Sequence, residues 1–320
     1  MFEFTSAQMT EPNSFTTEPW HILGAGSIGL LVASYLHSNA VDVRVLNRHK
    51  ITGSHNVTVV SDEQKGSLHI PFEPLEIDEP IKGLIVCTKN IQIQHIIAKI
   101  EHRLNAESSV IFLQNGMGHF ELIRSRYPFL KKMYLGSVTH GAFRTETFSV
   151  NHAGKGHIFI GSPDLSVKRA PEELQSLLRA HNLSWQWDPD IEQRLWKKLV
   201  INACINPLTA LLKCSNGELK DLKSAQIIMD NLCRESEQIL SSIGFNLKAS
   251  EILEMTLNIA AQTSSNRSSM LQDLLASKPT EIDAITGFLI KKASEHRISV
   301  PTHETLYNLV KARESLAIRV

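Results

Sequence analysis

A chain of 320 residues is long enough for two ordinary domains, each with its own core. Hydrophobic residues make up 42% and charged residues 21% of it, the balance of a globular chain rather than a disordered or fibrous one. Lys plus Arg and Asp plus Glu both number 33, so no positive excess points to nucleic acid or an anionic membrane, and any anion site has to be local.

Residues 1–19 carry neither a secretory nor an organelle signal pattern and read as a polar N-terminal extension. No uninterrupted apolar stretch reaches the roughly 18 residues needed to cross a bilayer. Cys87, Cys204, Cys214 and Cys233 are widely spaced, form no C-x-x-C pair and sit among apolar neighbours. A reduced, cytoplasmic compartment is therefore expected, with no membrane or nucleic-acid partner and no metal.

From residue 20 to residue 189, compact β-rich runs alternate with helical periodicity, which predicts an α/β domain with a mostly parallel sheet. The first strand, His21–Leu23, runs directly into Gly24-Ala25-Gly26-Ser27-Ile28-Gly29 and then an apolar helix. In a Rossmann fold this motif has three jobs. The first glycine makes the tight turn, the second lets a pyrophosphate approach the backbone, and the third lets the helix pack on the strand. The N–H groups of the helix terminus then face the phosphates.

The second strand, Val43–Leu46, ends in Asn47-Arg48-His49-Lys50. An NAD site normally carries an acidic residue there to bind the ribose 2′-OH, and none is present. A guanidinium can bind a 2′-phosphate in bidentate fashion and an Asn does not repel it, so NADPH is favoured with Arg48 as its reader, the alternative being a solvated basic turn. A strand at Leu84–Cys87 leads into Thr88-Lys89, and one at Val110–Leu113 leads into Gln114-Asn115-Gly116-Met117-Gly118. Ligands of open α/β sheets bind beyond such carboxyl ends, although Lys89 as a solvated cation and Asn115-Gly116 as a plain turn fit these positions equally well. Between them, Ile93, Ile96, Ile97 and Ile100 give residues 92–103 an apolar helical stripe. Further strands are predicted at Tyr134–Val138 and His157–Ile160.

From residue 190 to residue 320 the pattern is helical, with helices expected at about 191–213, 222–243, 249–263, 281–296 and 302–317. Gly244 is placed at one C′ position and Thr280 at one cap. In the first of these helices, Lys198, Asn202 and Asn206 fall four residues apart and share one face of an otherwise apolar segment. Such a stripe needs partners, either protein groups or a polar ligand, because unpaired buried amides and ammonium groups are costly. Pro207 should disturb the helix beside Asn206. A nearby ammonium stabilises and protonates the alkoxide that develops when a ketone is reduced, and Lys198 suits that role. Asn266, Ser268 and Ser269 make a second polar group suited to a carboxylate or hydroxyl, whereas Glu281 by itself reads as a residue favouring a helix dipole.

Taken together, G-A-G-S-I-G at 24–29, T-K at 88–89, Q-N-G-M-G at 114–118, L-W-K-K-L-x-x-N-x-x-x-N-P-L-T-A at 195–210, N-G-E-L at 216–219, S-S-M-L-Q-D at 268–273 and T-E-I-D at 280–283 resemble the ketopantoate reductase (2-dehydropantoate 2-reductase) family. The resemblance implies a Rossmann domain followed by an all-α domain of the 6-phosphogluconate dehydrogenase C-terminal type. It implies reduction of 2-ketopantoate to (R)-pantoate by NADPH in pantothenate and coenzyme A biosynthesis, by a monomer or homodimer. Lys198 would be the proton donor, and Asn202, Asn206, Asn216, Ser269 and Asn115 would hold the substrate. Residues 24–29, Arg48, Lys89, Asn115, Ala142 and Glu281 would contact the cofactor or complete the site. Two other readings share parts of the pattern: a sister 2-keto or 3-hydroxy acid dehydrogenase, and a regulator that binds NADPH without turnover.

Overall fold

The computed structural model describes residues 18–317 apart from 49, 62–64 and 182, so the predicted extension lies outside the described residues except for Glu18 and Pro19. In chain order the first part comprises β1 (Trp20–Leu23), α1 (Ser27–Ser38), β2 (Val43–Asn47), β3 (Gly53–Val60), β4 (Lys65–Pro74), β5 (Gly83–Val86), α2 (Ile93–Ile100) and β6 (Ser109–Phe112). It continues through α3 (His119–Arg126), β7 (Lys132–Val138), β8 (Gly141–Glu146), β9 (Ser149–Gly154), β10 (Ile158–Gly161), α4 (Gln175–Leu178) and β11 (Trp185–Trp187). The rest is helical: α5 (Ile191–Leu212), α6 (Lys223–Ser242), α7 (Ala249–Gln262), α8 (Ser269–Leu275), α9 (Phe288–Glu295) and α10 (Pro301–Ala317).

Contacts divide the chain into two compact units. One runs to Gln114 and resumes at Phe120–Ile191; the other joins Asn115–His119 to the helical part from Glu192 onward. Among the described residues of the first unit, eleven strands form one sheet in the order β11-β10-β7-β6-β5-β1-β2-β4-β3-β9-β8. Its centre is parallel: β1 pairs with both β2 and β5, and β5–β6, β6–β7 and β2–β4 are parallel too. Antiparallel pairings join β3–β4, β7–β10 and β8–β9. Every residue of β1, β5 and β6 is buried, as expected for short apolar strands covered on both faces. The chain leaves β1 for β2 on one side and later returns to β5 on the other. That reversal makes the carboxyl end of β1 the topological switch point, the usual ligand position of a doubly wound sheet.

In the second unit α5 runs through the core, with Leu199, Val200, Ala203, Cys204, Ile205 and Leu208 packed among residues of the other helices. Gly244, at φ +87°, ends α6: its N–H meets the Ser241 carbonyl at 3.2 Å, and the Phe245 N–H meets the Leu240 carbonyl at 2.9 Å. These two bonds are the Schellman pattern that a C′ glycine permits. The Thr280 hydroxyl accepts the Ile282 N–H at 3.2 Å, so it does sit at a helix entrance. The expected helix from 281 differs in its first turn, which is a π-helical turn over Asp283–Gly287 with the Gly287 N–H reaching the Ile282 carbonyl at 2.9 Å. The cause lies outside the helix, because the Ala284 carbonyl accepts the Met117 N–H at 3.0 Å. All four cysteines are free, and no helix among the described residues is long and apolar enough to cross a membrane.

Candidate active site

The glycine turn at the carboxyl end of β1 distributes its three glycines by space. Gly24 has φ +112°, and a Cβ there would lie 2.8 Å from Thr88 Cγ2; a Cβ on Gly29 would lie 1.9 Å from the Gly24 carbonyl oxygen. Those two glycines are fixed by the protein's own packing. Gly26 is different, since a Cβ there would meet nothing within 4 Å, so its side of the turn is open. No side chain caps the α1 N-terminus and its first turn carries no acidic residue, which leaves the end of the helix electropositive. An open backbone beside an uncapped helix terminus fits a pyrophosphate. Ala25, Ser27 and Ile28 are half-buried around it.

Asn47, the last residue of β2, is buried and spends its amide on the following turn: Nδ2 donates to the Ile51 carbonyl at 2.8 Å and Oδ1 accepts the Ile51 N–H at 3.0 Å. It shapes the loop rather than offering itself to a ligand. Arg48, exposed on that loop, is the residue displayed. Lys89 follows β5 and stands at the N-cap of a short 3-10 turn, Asn90–Gln92, half-buried. Ala142, the second residue of β8, lies opposite His152 of β9.

Two polar groups at these strand ends escaped the sequence reading as site residues. Thr88 Oγ1 and both amide atoms of Gln114 are buried with no hydrogen-bond partner among the described residues. They lie just beyond β5 and β6, whose last residues Val86 and Phe112 are in register. Buried orphan polar atoms are uncommon in folded proteins and mark places where a ligand or water completes the bonding. Only their position at the carboxyl ends of adjacent strands could have singled them out from sequence.

In the second unit, α5 carries the lysine–asparagine stripe. Lys198 Nζ donates to Asn115 Oδ1 at 2.9 Å, and Asn115 Nδ2 donates to Glu281 Oε2 at 3.3 Å. The direction of the chain follows from chemistry, because an ammonium only donates and a carboxylate only accepts. Gly116 holds Asn115 in place. Its φ is +79°, and a Cβ there would lie 2.5 Å from the Ala284 carbonyl oxygen, so the loop packs on the π-helical turn that follows Glu281. Burial pushes the Lys198 ammonium down to about 8 against the opposing attraction of Glu281. Such a group is mostly protonated at neutral pH yet gives up its proton more readily than a surface lysine.

Along the same helix face, Asn202 is half-buried and Asn206 buried, and no hydrogen bond joins either side-chain amide to another described residue. Pro207 stays within α5, and the Thr209 hydroxyl donates back to the Ile205 and Asn206 carbonyls at 3.0 and 3.1 Å. Asn216 is buried. Its N–H meets the Asn266 carbonyl at 2.9 Å and its Nδ2 donates to Thr263 Oγ1 at 2.9 Å, whereas its Oδ1 has no hydrogen-bond partner among the described residues. Of the serine pair, Ser268 is occupied, accepting the Leu271 N–H at 3.1 Å as the α8 cap and lying 2.7 Å from Thr209 Oγ1. Ser269 is exposed at the first residue of α8. The structure thus joins Lys198, Asn115 and Glu281 directly and ties the Asn216 and Ser268 segments to one another through residues 263–268 and Thr209.

Comparison with known proteins places the chain among relatives of one family. The family model described as Ketopantoate reductase PanE/ApbA matches residues 20–164, and that described as Ketopantoate reductase PanE/ApbA C terminal matches residues 190–314. The chain is 32% identical over 295 residues to the 2-dehydropantoate 2-reductase of Yersinia pestis, covering 92% of this chain and 94% of that one. A crystal structure of a Bacillus subtilis relative matches with a TM-score of 0.77 and 29% identity over 92% of this chain and 100% of that one. A ternary structure of D-mandelate dehydrogenase with NADH and anilino(oxo)acetate shares the fold, with a TM-score of 0.83, 20% identity and coverage of 94% and 99%. With both of its parts matched and its length aligned almost end to end with a curated relative, the chain belongs to the ketopantoate reductase family.

Proposed function

We propose that this protein reduces 2-ketopantoate to (R)-pantoate with NADPH, as the names of its relatives suggest, and that Lys198 supplies the proton. The observation that carries the reading is the Lys198–Asn115–Glu281 chain on the helix face that also carries Asn202 and Asn206, two amides with no side-chain hydrogen bond to another described residue. A 2-keto acid offers a carboxylate and a carbonyl oxygen, both acceptors, and the stripe offers donors. The glycine turn with its open Gly26 would hold the pyrophosphate, and Arg48 would bind the 2′-phosphate.

When bound, the dinucleotide supplies the hydride for C2 of the keto acid. The work left to the protein is at oxygen, where negative charge grows as the carbonyl becomes an alkoxide. The Lys198 ammonium, aimed by Asn115 and kept charged by Glu281, stabilises that charge and then gives up its proton. Asn202 and Asn206, one and two turns along α5 from Lys198, would orient the carboxylate and hydroxyl, with Asn216 and Ser269 as further holders.

The test is oxidation of NADPH, and separately of NADH, with a panel of 2-keto acids. The proposal expects 2-ketopantoate to have the highest kcat/KM and NADPH to be preferred. A preference for an aryl 2-keto acid would move the chain to the sister dehydrogenase reading, and binding without turnover on any keto acid would make it a sensor.

A further inference from the structure

The β8–β9 hairpin, which the sequence reading did not predict, packs against α1, and two independent sets of hydrogen bonds fix it there. One is a chain of imidazoles. The Leu183 carbonyl can only accept, so His140 Nε2, 3.0 Å away, carries the proton and His140 Nδ1 is an acceptor. That nitrogen receives the Gly156 N–H at 3.1 Å and His152 Nε2–H at 3.0 Å. His152 Nδ1 is then left to accept from the Tyr35 hydroxyl of α1 at 3.0 Å. Every atom in the chain has one role, and burial holds both imidazoles below their ordinary range and hence neutral.

The other set centres on Arg144, near the tip of β8. Its Nε donates to the Glu146 carbonyl at 3.3 Å and its Nη2 to the Thr147 carbonyl at 2.9 Å, both within the hairpin. Its Nη1 donates to the carbonyl of Ala25 at 3.2 Å. Ala25 stands between Gly24 and Gly26 in the phosphate-binding turn, 119 residues away in sequence. Arg144 is two residues from Ala142 on the same strand, so both project from one face, and Ala142 packs against the core beneath α1. A guanidinium held by three backbone carbonyls has lost most of its rotamer freedom before any ligand arrives, and its charge is not spent, because all three partners are neutral.

We propose that Arg144 is a dinucleotide-binding residue, a preorganised cation that the β8–β9 hairpin holds beside the glycine turn for the pyrophosphate. The assignment rests on the dinucleotide reading given above. It differs from the role of Arg48, whose target is the 2′-phosphate. Arg144 therefore contributes equally to both cofactors and does not discriminate between them.

The test is direct titration of the full chain with NADPH and with NADH, following ligand fluorescence or heat, in wild type and in Arg144→Ala, Arg144→Gln and Arg144→Lys. Gln keeps a donor for the Ala25 carbonyl without the charge, and Lys keeps the charge without the fork. Ala and Gln should each raise the Kd of both cofactors about 10-fold, the low end for a charge-assisted contact because the side chain is exposed. Lys should recover most of the loss, and the salt dependence of Kd should become shallower in Ala and Gln. Unchanged Kd in Ala and Gln, or a loss confined to NADPH, would overturn the proposal. Failure of wild type to bind either dinucleotide would instead sink the functional reading on which it stands.

Discussion

At the scale of single residues, the group on which the proposed chemistry turns is the buried Lys198 ammonium. Lys198 is pushed down to about 8 by burial, and Glu281 is the opposing influence. In the proposed mechanism the ammonium is the form that reduction uses, so kcat should be flat below that value and fall about tenfold per pH unit above it. Glu281→Gln removes the raising influence, and the falling limb should move to lower pH; a limb that stays in place or moves up would contradict this account. Arg48 makes the complementary case for the cofactor. Its replacement by Ala should raise the Kd of NADPH by about 10- to 100-fold while leaving NADH nearly unchanged, as loss of a charge-assisted phosphate contact costs about 1.5–3 kcal/mol. An equal loss for both would remove Arg48 from the 2′-phosphate. The lysine stripe was legible in the sequence because residues four apart on a helix share a face. The Asn115–Glu281 contact was not, because 166 residues separate the pair and no periodicity links them. Glu281 alone reads as a dipole effect; only the packing of the 115–119 loop on the π-helical turn shows its second partner.

At the scale of elements, helices were easier to read than the outer sheet. The strands β1, β2, β5 and β6 are short buried apolar runs with clear edges. β3 and β4 are partly exposed and rich in Ser, Thr, His and Lys, so they resemble loops until paired with each other. α8 has seven residues, too few for a periodic stripe. One inter-element contact gives a stability prediction. Glu235 of α6, buried, accepts the Thr302 N–H at 2.8 Å and the His303 N–H at 3.0 Å, so a side chain from another helix caps α10. Pro301 precedes them at the first helical position, where its missing N–H costs nothing. Glu235→Ala leaves two donors without their acceptor and should cost about 1–3 kcal/mol in denaturant unfolding, with Glu235→Gln retaining part of it. A change below about 0.5 kcal/mol in the Ala variant would mean that water or another group caps the helix.

At the scale of the whole molecule, the proposed function assigns phosphate recognition to one unit and proton donation to the other. The first is built from the turn after β1, with Gly24 and Gly29 locked by packing and Gly26 left open. The second is built on α5, where Lys198, Asn202 and Asn206 share one face of a helix packed into the core. This division makes the two functions separable by mutation. The most direct measurement is steady-state reduction of 2-ketopantoate by Lys198→Ala, with NADPH binding titrated in the same preparation and Lys197→Ala as the control. Lys197 lies about 100° around the helix, and its nearest hydrogen-bond partner is Gln193 Oε1 at 3.5 Å. The account predicts a kcat lower by roughly 10²–10⁴-fold in Lys198→Ala, an NADPH Kd within about twofold of wild type, and little change in Lys197→Ala. Full turnover in Lys198→Ala, or loss of turnover in Lys197→Ala alone, would contradict it.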